Sequence, residues 1–352
     1  MAAPLTLADL AVPLSLEPME AKLVSDLPDD GEWQFEPKWD GFRCLAFRAG
    51  DHVDLRAKSG KPLTRYFPEL VEVLKALKPK CFVLDGELAI PASNGLSFDA
   101  LQQRIHPAES RVAKLAAETP SILILFDMLV DAKNKSLVEE PLTKRRAALE
   151  AFYTSVSACR SVTLSPTTLS HKEADRWLSR TSASLDGVVA KRLDGPYLPG
   201  ERAMLKVKHL RSADCVVGGF RYASGSKEVG SLLLGLYNEA GQLDHVGFTS
   251  AITDKERPAL TKNLEALIAP PGFDGKAPGG PSRWSTERSS EWEPVKPKIV
   301  VEVRYDHVTG DRFRHGTKLV RFRPDKAPKQ CTFEQIMPAR KPPKLIATML
   351  GQ

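Results

Sequence analysis

Short apolar runs with period-two alternation recur from residue 33 onward, separated by stretches whose apolar positions return every three to four residues. WQFEPKWDGFRCLAFRAG (33–50) reads as paired strands broken at Asp40–Gly41, and CFVLDGELAI (81–90) and SILILFDMLV (121–130) read as buried strands. Helical spacing marks 68–78, 98–105, 141–152 and 172–182, and GVVAKRL (187–193) is a further strand. Strands interleaved with helices predict a mixed α+β layer over residues 1–209.

Past MLKVKHLRSAD (204–214) the texture changes to strand after strand: CVVGGFRYA, SLLLGLYNE and LDHVGFTS, one helical stretch over 254–268, then IVVEVRYDHV and LVRFRP. Five strands and a helix predict a small closed barrel of the OB type over residues 210–352, since closure removes exposed sheet edges. Residues 206–214 are the expected hinge. The Pro/Gly-rich stretch 269–281, with a single Phe to bury, reads as a surface loop.

Length agrees with two domains, because 352 residues exceed the ~250 at which single cores stop growing. Five scattered cysteines without a CxxC pair argue against a zinc or redox centre and suit a reduced cytoplasm. The N-terminus does not read as a signal peptide, and no run approaches the ~20 apolar residues that span a bilayer. A soluble cytoplasmic monomer, away from membranes, is expected. Fifty Lys and Arg against 44 Asp and Glu lean toward polyanions. Residues 321–344 hold seven Lys or Arg and two acids, 7 − 2 = +5, nearly the whole chain's +6. A basic tail of this kind predicts DNA binding that weakens steeply with salt.

The chemistry concentrates in EPKWDGFR. A strand followed by a Gly turn would hold the Lys38 amine against Trp39 and Phe42, where desolvation favours the neutral, nucleophilic form. A lone Lys-x-Asp-Gly also arises by chance. Five more segments follow in order: LDGELAI with Glu87, LFDML with Phe126 and Asp127, DGVVAKR with Asp186 and Lys191, LKVK with Lys206 and Lys208, and RPDK with Arg323 and Lys326. Together they offer carboxylates for a divalent metal, cations for phosphate oxygens and an apolar wall for a base. Taken singly, Phe126 reads as strand core, Asp40 as a turn cap and Lys191 as a solvated strand end.

KWDGFR, VLDGEL, LFDM, DGVVAKR, LKVK and RPDK resemble the ordered nucleotidyltransferase motifs of ATP-dependent DNA ligases over nearly the whole chain. The likeness is to small stand-alone bacterial ligases related to the ligase module of end-joining enzymes, which lack a large N-terminal DNA-binding domain; the short stretch ahead of Lys38 fits that. It implies an adenylation domain followed by an OB-fold barrel, and an enzyme that seals 5′-phosphate/3′-hydroxyl nicks during DNA repair. ATP and a divalent metal, Mg²⁺ by expectation, would be the cofactors and nicked double-stranded DNA the partner.

Residue by residue, the resemblance implies covalent AMP on Lys38 with Asp40 beside it, Glu36 on the adenine amino group, Arg43 and Glu87 on the ribose, and Phe126 against the base. Lys206 and Lys208 would grip the α-phosphate, Arg202 would add a phosphate or nucleotide contact, and Glu87 and Asp186 would serve the metal. Arg323 and Lys326 would orient the departing pyrophosphate. Lys58 stands where the family usually has arginine, and an ammonium cannot reproduce a bidentate guanidinium contact. Asp186 replaces the commoner glutamate. Alternatives are an RNA ligase, a GTP-using capping-type enzyme, or a non-catalytic nucleic-acid-binding scaffold.

Overall fold

In the computed structural model, which describes residues 5–29, 32–93, 95–179, 185–208, 211–279 and 291–337, all nine residues of strand Ile122–Val130 are buried. A strand covered on both faces has no use for alternation, which is why its sequence is a continuous apolar run. It lies inside a five-stranded sheet ordered His52–Ala57, Phe42–Ala49, Cys81–Ala89, Ile122–Val130, Val162–Leu164. The pairs are antiparallel except the last, which is parallel.

Successive residues of the inner strands feed two cores. Cys44, Ala46, Phe82 and Leu84 join Leu70 and Leu74 of helix Pro68–Ala76 and Leu149 and Phe152 of helix Leu142–Val156. Leu45, Phe47, Ala49 and Val83 pack with Leu10, Val12 and Met19 of the N-terminal segment. Period-two geometry thus sends neighbours to opposite faces, and both faces are covered. Arg48 is buried among these strands, where its guanidinium donates to the carbonyls of Leu74, Lys75, Leu77 and Pro79 at 2.6–2.8 Å. It thereby satisfies carbonyls that the end of helix Pro68–Ala76 leaves unpaired.

A second sheet of the same unit has the order Ala21–Val24, Met204–Lys208, Leu185–Arg192, Trp33–Trp39. This corrects the expectation that residues 33–50 form two strands paired with each other. Trp33–Trp39 pairs with Leu185–Arg192, whereas Phe42–Ala49 pairs with His52–Ala57 and Cys81–Ala89. The chain changes sheets at Asp40–Gly41, and a Cβ on Gly41 would lie 2.1 Å from the Leu88 carbonyl oxygen. Only a residue without a side chain passes there, so the Gly read as a turn is a crossing between sheets.

The helices expected at 68–78, 98–105, 141–152 and 172–182 are Pro68–Ala76, Phe98–Gln103, Leu142–Val156 and His171–Ser179; residues 180–184 are outside the described set. Helix Glu109–Glu118 was not anticipated because only Val112 and Ala116 are buried, too thin a stripe to stand out. Edge strand Ala21–Val24 escaped for a related reason, having no fully buried residue.

The chain divides into two units between His209 and Leu210. In the second, strands run Leu243–Thr249, Val229–Tyr237, Arg211–Tyr222, Val300–Tyr305, Lys318–Phe322, each antiparallel to its neighbours, with helix Arg257–Glu265 packed on them. The expected closed barrel is not formed among the described residues. Among the described residues the two edges meet at the parallel bridge Thr249–Thr317, where the Thr249 hydroxyl donates to the Thr317 carbonyl at 2.9 Å and the Thr317 N–H to the Phe248 carbonyl at 2.9 Å. Strand Lys318–Phe322 is short and mostly exposed, and its ladder is already committed to Val300–Tyr305. The fold class is α+β, two sheets with flanking helices followed by an antiparallel sheet that carries a helix. Phe273 pins the Pro/Gly-rich loop by packing against Gly218 and Gly235, where side chains would collide with its ring. The basic tail at 340–344 lies outside the described residues. No helix among the described residues is long and apolar enough to cross a membrane.

Candidate active site

Strand Trp33–Trp39 runs antiparallel to Leu185–Arg192, with Glu36 facing Val189 and Lys38 facing Gly187. The register then slips: Leu185 faces Trp39, so Asp186 is an extra residue on its strand, a β-bulge. Bulges re-aim side chains, and here the Asp186 Oδ2 meets the Lys38 Nζ at 2.6 Å. The same oxygen receives the Lys208 Nζ at 3.2 Å. Gly187 permits this geometry: its φ is +147°, and a Cβ would sit 1.9 Å from the Val207 carbonyl oxygen.

One cavity beside the lysine is lined by Glu36, Lys38, Arg43, Lys58, Glu87, Phe126 and Lys206, all singled out from sequence. Trp39, Lys191 and residues Pro18–Ala21 also line it. Lys206 alternates with Lys208 on strand Met204–Lys208, and burial, then the charges of Lys38, Lys208 and Lys58, holds its amine below the ordinary lysine range. Asp40, almost buried at the crossing, adds negative charge near Glu87.

Behind the cavity, charges of alternating sign form a chain. Lys191 contacts the Glu36 Oε1 at 2.9 Å, the Phe126 carbonyl at 3.1 Å and the Asp127 Oδ2 at 4.0 Å. Arg145 grips Asp127 through Nε–Oδ1 at 2.8 Å and Nη2–Oδ2 at 3.2 Å, and Gln34 donates to Glu36 at 2.8 Å. Each buried charge has an opposite partner, the condition under which burial is tolerated. Lys191 is therefore a buried counter-ion, not a solvated strand end. Phe126 is strand core and cavity wall at once, its ring flanked by Arg43 at 4.5 Å and Lys191 at 4.8 Å.

Arg43 is the cross-strand partner of Glu87, yet its guanidinium is held by Asp85, with Nε–Oδ1 and Nη2–Oδ2 both at 2.5 Å. Glu87 instead accepts the Gly41 N–H at 3.1 Å. Burial lifts the Glu87 carboxyl to about 7, against the pull of Lys38 and Arg43. Of the two aromatic neighbours expected to desolvate Lys38, Trp39 lines the cavity and Phe42 does not. The Trp39 indole donates to the Ser165 hydroxyl at 2.9 Å, and Phe42 packs edge-on against Phe98.

Besides the ion-paired Asp186 and Lys208, four predicted residues are not in the cavity lining: Asp40, at the crossing between sheets, and Arg202, Arg323 and Lys326. Arg202 is largely exposed, its Nε 3.7 Å from Glu20, whose other oxygen contacts the Lys58 Nζ at 2.9 Å. Arg323 and Lys326 belong to the second unit, where both contact Asp214, at 3.0 and 2.8 Å. Sequence reading assigned no role to Glu20, Asp85, Arg145 or Tyr197. Asp85 had a signal, since it shares a strand face with Glu87 two residues on; the others had none.

Residues 18–208 match the family model described as the ATP dependent DNA ligase domain, and residues 225–326 match the ATP dependent DNA ligase C terminal region. The chain is 45% identical to DNA ligase C1 of Mycolicibacterium smegmatis, over 93% of this chain and 95% of that protein. It is 44% identical to DNA ligase C of Mycobacterium tuberculosis, over 91% and 93%. The multifunctional end-joining protein LigD of Mycobacterium bovis is 30% identical over 86% of this chain and 38% of its own length. A solved Lig E DNA ligase has the same fold, with a TM-score of 0.54 at 17% identity, over 88% of this chain and 100% of that one.

The Glu87 carboxyl supplies a pH signature. Its folded pKa lies above the ordinary 4.5, so the stability it favours is present at low pH and is lost as pH rises through about 7. Glu87→Gln removes the titration. The stability of the variant relative to wild type is expected to increase from pH 5 to pH 7.5 in urea denaturation. A difference that stays constant across that window would contradict a proton-retaining Glu87.

Proposed function

The chain belongs to the ATP-dependent DNA ligases and is related to the ligase module of LigD, and on that premise we propose that Lys38 is the residue that takes AMP from ATP. In this reading the neutral Lys38 amine attacks the α-phosphorus and pyrophosphate leaves. The AMP then passes to a 5′-phosphate at a nick, and the adjoining 3′-hydroxyl displaces it to seal the strand. Each step is an in-line phosphoryl transfer, in which alignment and charge neutralisation carry most of the catalysis.

The observation that carries the proposal is the shared Asp186 oxygen. It draws the Lys38 amine and Lys208 to one point, and Lys38 lines the same cavity as Glu36, Phe126 and Lys206. An ammonium has no lone pair, so the Lys38–Asp186 pair must open, with loss of a proton, before attack. Lys206 and Lys208 are placed by the proposal on the α-phosphate, and their mutual repulsion favours an anion between them. Glu36, fixed by Lys191 and Gln34, would accept from the adenine amino group, and Phe126 would face the base.

Among the described residues no group of three or more His, Cys, Asp or Glu could hold a bare metal ion. Two carboxylates near Lys38, Glu87 and Asp186, fit Mg²⁺, which keeps several waters and takes one or two carboxylates together with substrate phosphates. Held by these two residues, Mg²⁺ would neutralise charge on the phosphate oxygens. Arg323 and Lys326 would serve the departing pyrophosphate, Arg202 a peripheral phosphate, and Lys58 a phosphate contact after leaving Glu20.

Incubation with Mg²⁺ and α-labelled ATP is expected to give acid-stable label on the protein that added pyrophosphate removes. Lys38→Ala should abolish it, and α-labelled GTP should give none; label that survives the substitution would reject Lys38 as nucleophile. Arg323→Ala is expected to slow self-adenylation by roughly a hundredfold while slowing sealing of pre-adenylated DNA far less. Equal losses in the two assays would remove the assignment of Arg323 to pyrophosphate.

A further inference from the structure

Residues Pro18–Ala21 form part of the cavity wall, yet only Ala21 belongs to a strand. Both main-chain polar atoms of Met19 are nonetheless held. Its N–H donates to the Tyr197 phenol oxygen at 2.9 Å, and its carbonyl accepts from the Arg43 Nη2 at 3.2 Å. The phenol in turn donates to the Asp85 Oδ2 at 2.6 Å, and Asp85 holds Arg43 through both carboxylate oxygens. The four groups close a ring that returns to Met19. Tyr197 and Asp85 are 1% and 0% exposed, so water cannot replace either partner. The Met19 sulfur also accepts the Leu198 N–H at 3.3 Å, which ties this wall to the chain next to Tyr197.

We infer that Tyr197 is a positioning residue for the nucleotide cavity: its hydroxyl fixes the Met19 wall and, through Asp85, the plane in which Arg43 lies over Phe126. The inference rests on the reading that ATP occupies this cavity. Asp85 has two demands on it, Arg43 and Tyr197, and the phenol proton orients the carboxylate so that one oxygen serves each guanidinium nitrogen. Without the hydroxyl, the Met19 N–H is buried unpaired and Asp85 keeps only Arg43, so the wall and the guanidinium are both free to shift. Burial and the neighbouring Asp85 push the phenol well above its ordinary range, so the proton is retained wherever the enzyme is assayed.

Tyr197→Phe keeps the ring and removes only the hydroxyl. In the self-adenylation assay with wild type and Lys38→Ala alongside, the KM for ATP is expected to rise about tenfold, equivalent to ~1.4 kcal/mol, with kcat within about twofold of wild type. Asp85→Asn should also raise KM, and the double variant should raise it by less than the product of the two single effects, because both act on one ring. An unchanged KM in folded Tyr197→Phe, or effects that simply multiply, would overturn the inference while Lys38-dependent labelling leaves the ligase reading standing. Loss of the melting transition in Tyr197→Phe would overturn it too, by making the hydroxyl a requirement of the fold. An unlabelled wild type would overturn both.

Discussion

The pairing of Trp33–Trp39 with Leu185–Arg192 is the constraint on which the site depends. It brings residues from distant parts of the chain into register, so that Glu36, Lys38, Asp186 and Lys191 become neighbours. A regular ladder would not suffice, because alternation alone fixes which face each side chain takes. The bulge at Asp186 adds the residue that lets a carboxylate reach the Lys38 amine, and Gly187 makes the bulge sterically possible. The third strand, Met204–Lys208, completes the arrangement by aligning Lys208 with Gly187 and Lys206 with Val189.

A second layer of order comes from buried charge. Burying Glu36, Lys191, Asp127 and Arg145 is costly, and the cost is offset only because each meets an opposite charge at hydrogen-bond or near hydrogen-bond distance. Removing one member leaves a neighbour uncompensated, so these residues hold one another in a single geometry. The ring of Met19, Tyr197, Asp85 and Arg43 works the same way on the other wall. Together the two networks give an irregular segment and a set of long, flexible side chains fixed positions around the cavity, which is what alignment-based catalysis requires.

Much of this was legible in the sequence. The continuous apolar run at 121–130 announced a strand buried on both faces, and the ordered segments around Lys38, Glu87, Phe126, Asp186 and Lys206 marked side chains that do share one cavity or contact it directly. The sheet switch at Gly41 was not legible, because a strand–turn–strand pattern looks the same whether the strands pair with each other or with third parties. The open edge of the second unit was hidden likewise, since strand count does not reveal whether the last strand can pair twice. Glu20 and Tyr197 gave no local signal: their importance lies in partners remote in sequence, Lys58 for one and Met19 with Asp85 for the other.

The central claim is that the chemistry begins at Lys38 and at no other amine of the cavity. Lys191, Lys206 and Lys208 lie close enough to make that a real contest. Peptide mass mapping of the wild-type protein after reaction with ATP and Mg²⁺ decides it most directly. The account predicts one added AMP, on the peptide containing Lys38 and located at that residue by fragmentation. An adduct on Lys191, Lys206 or Lys208 would contradict it and would require a different role for the Asp186 bulge.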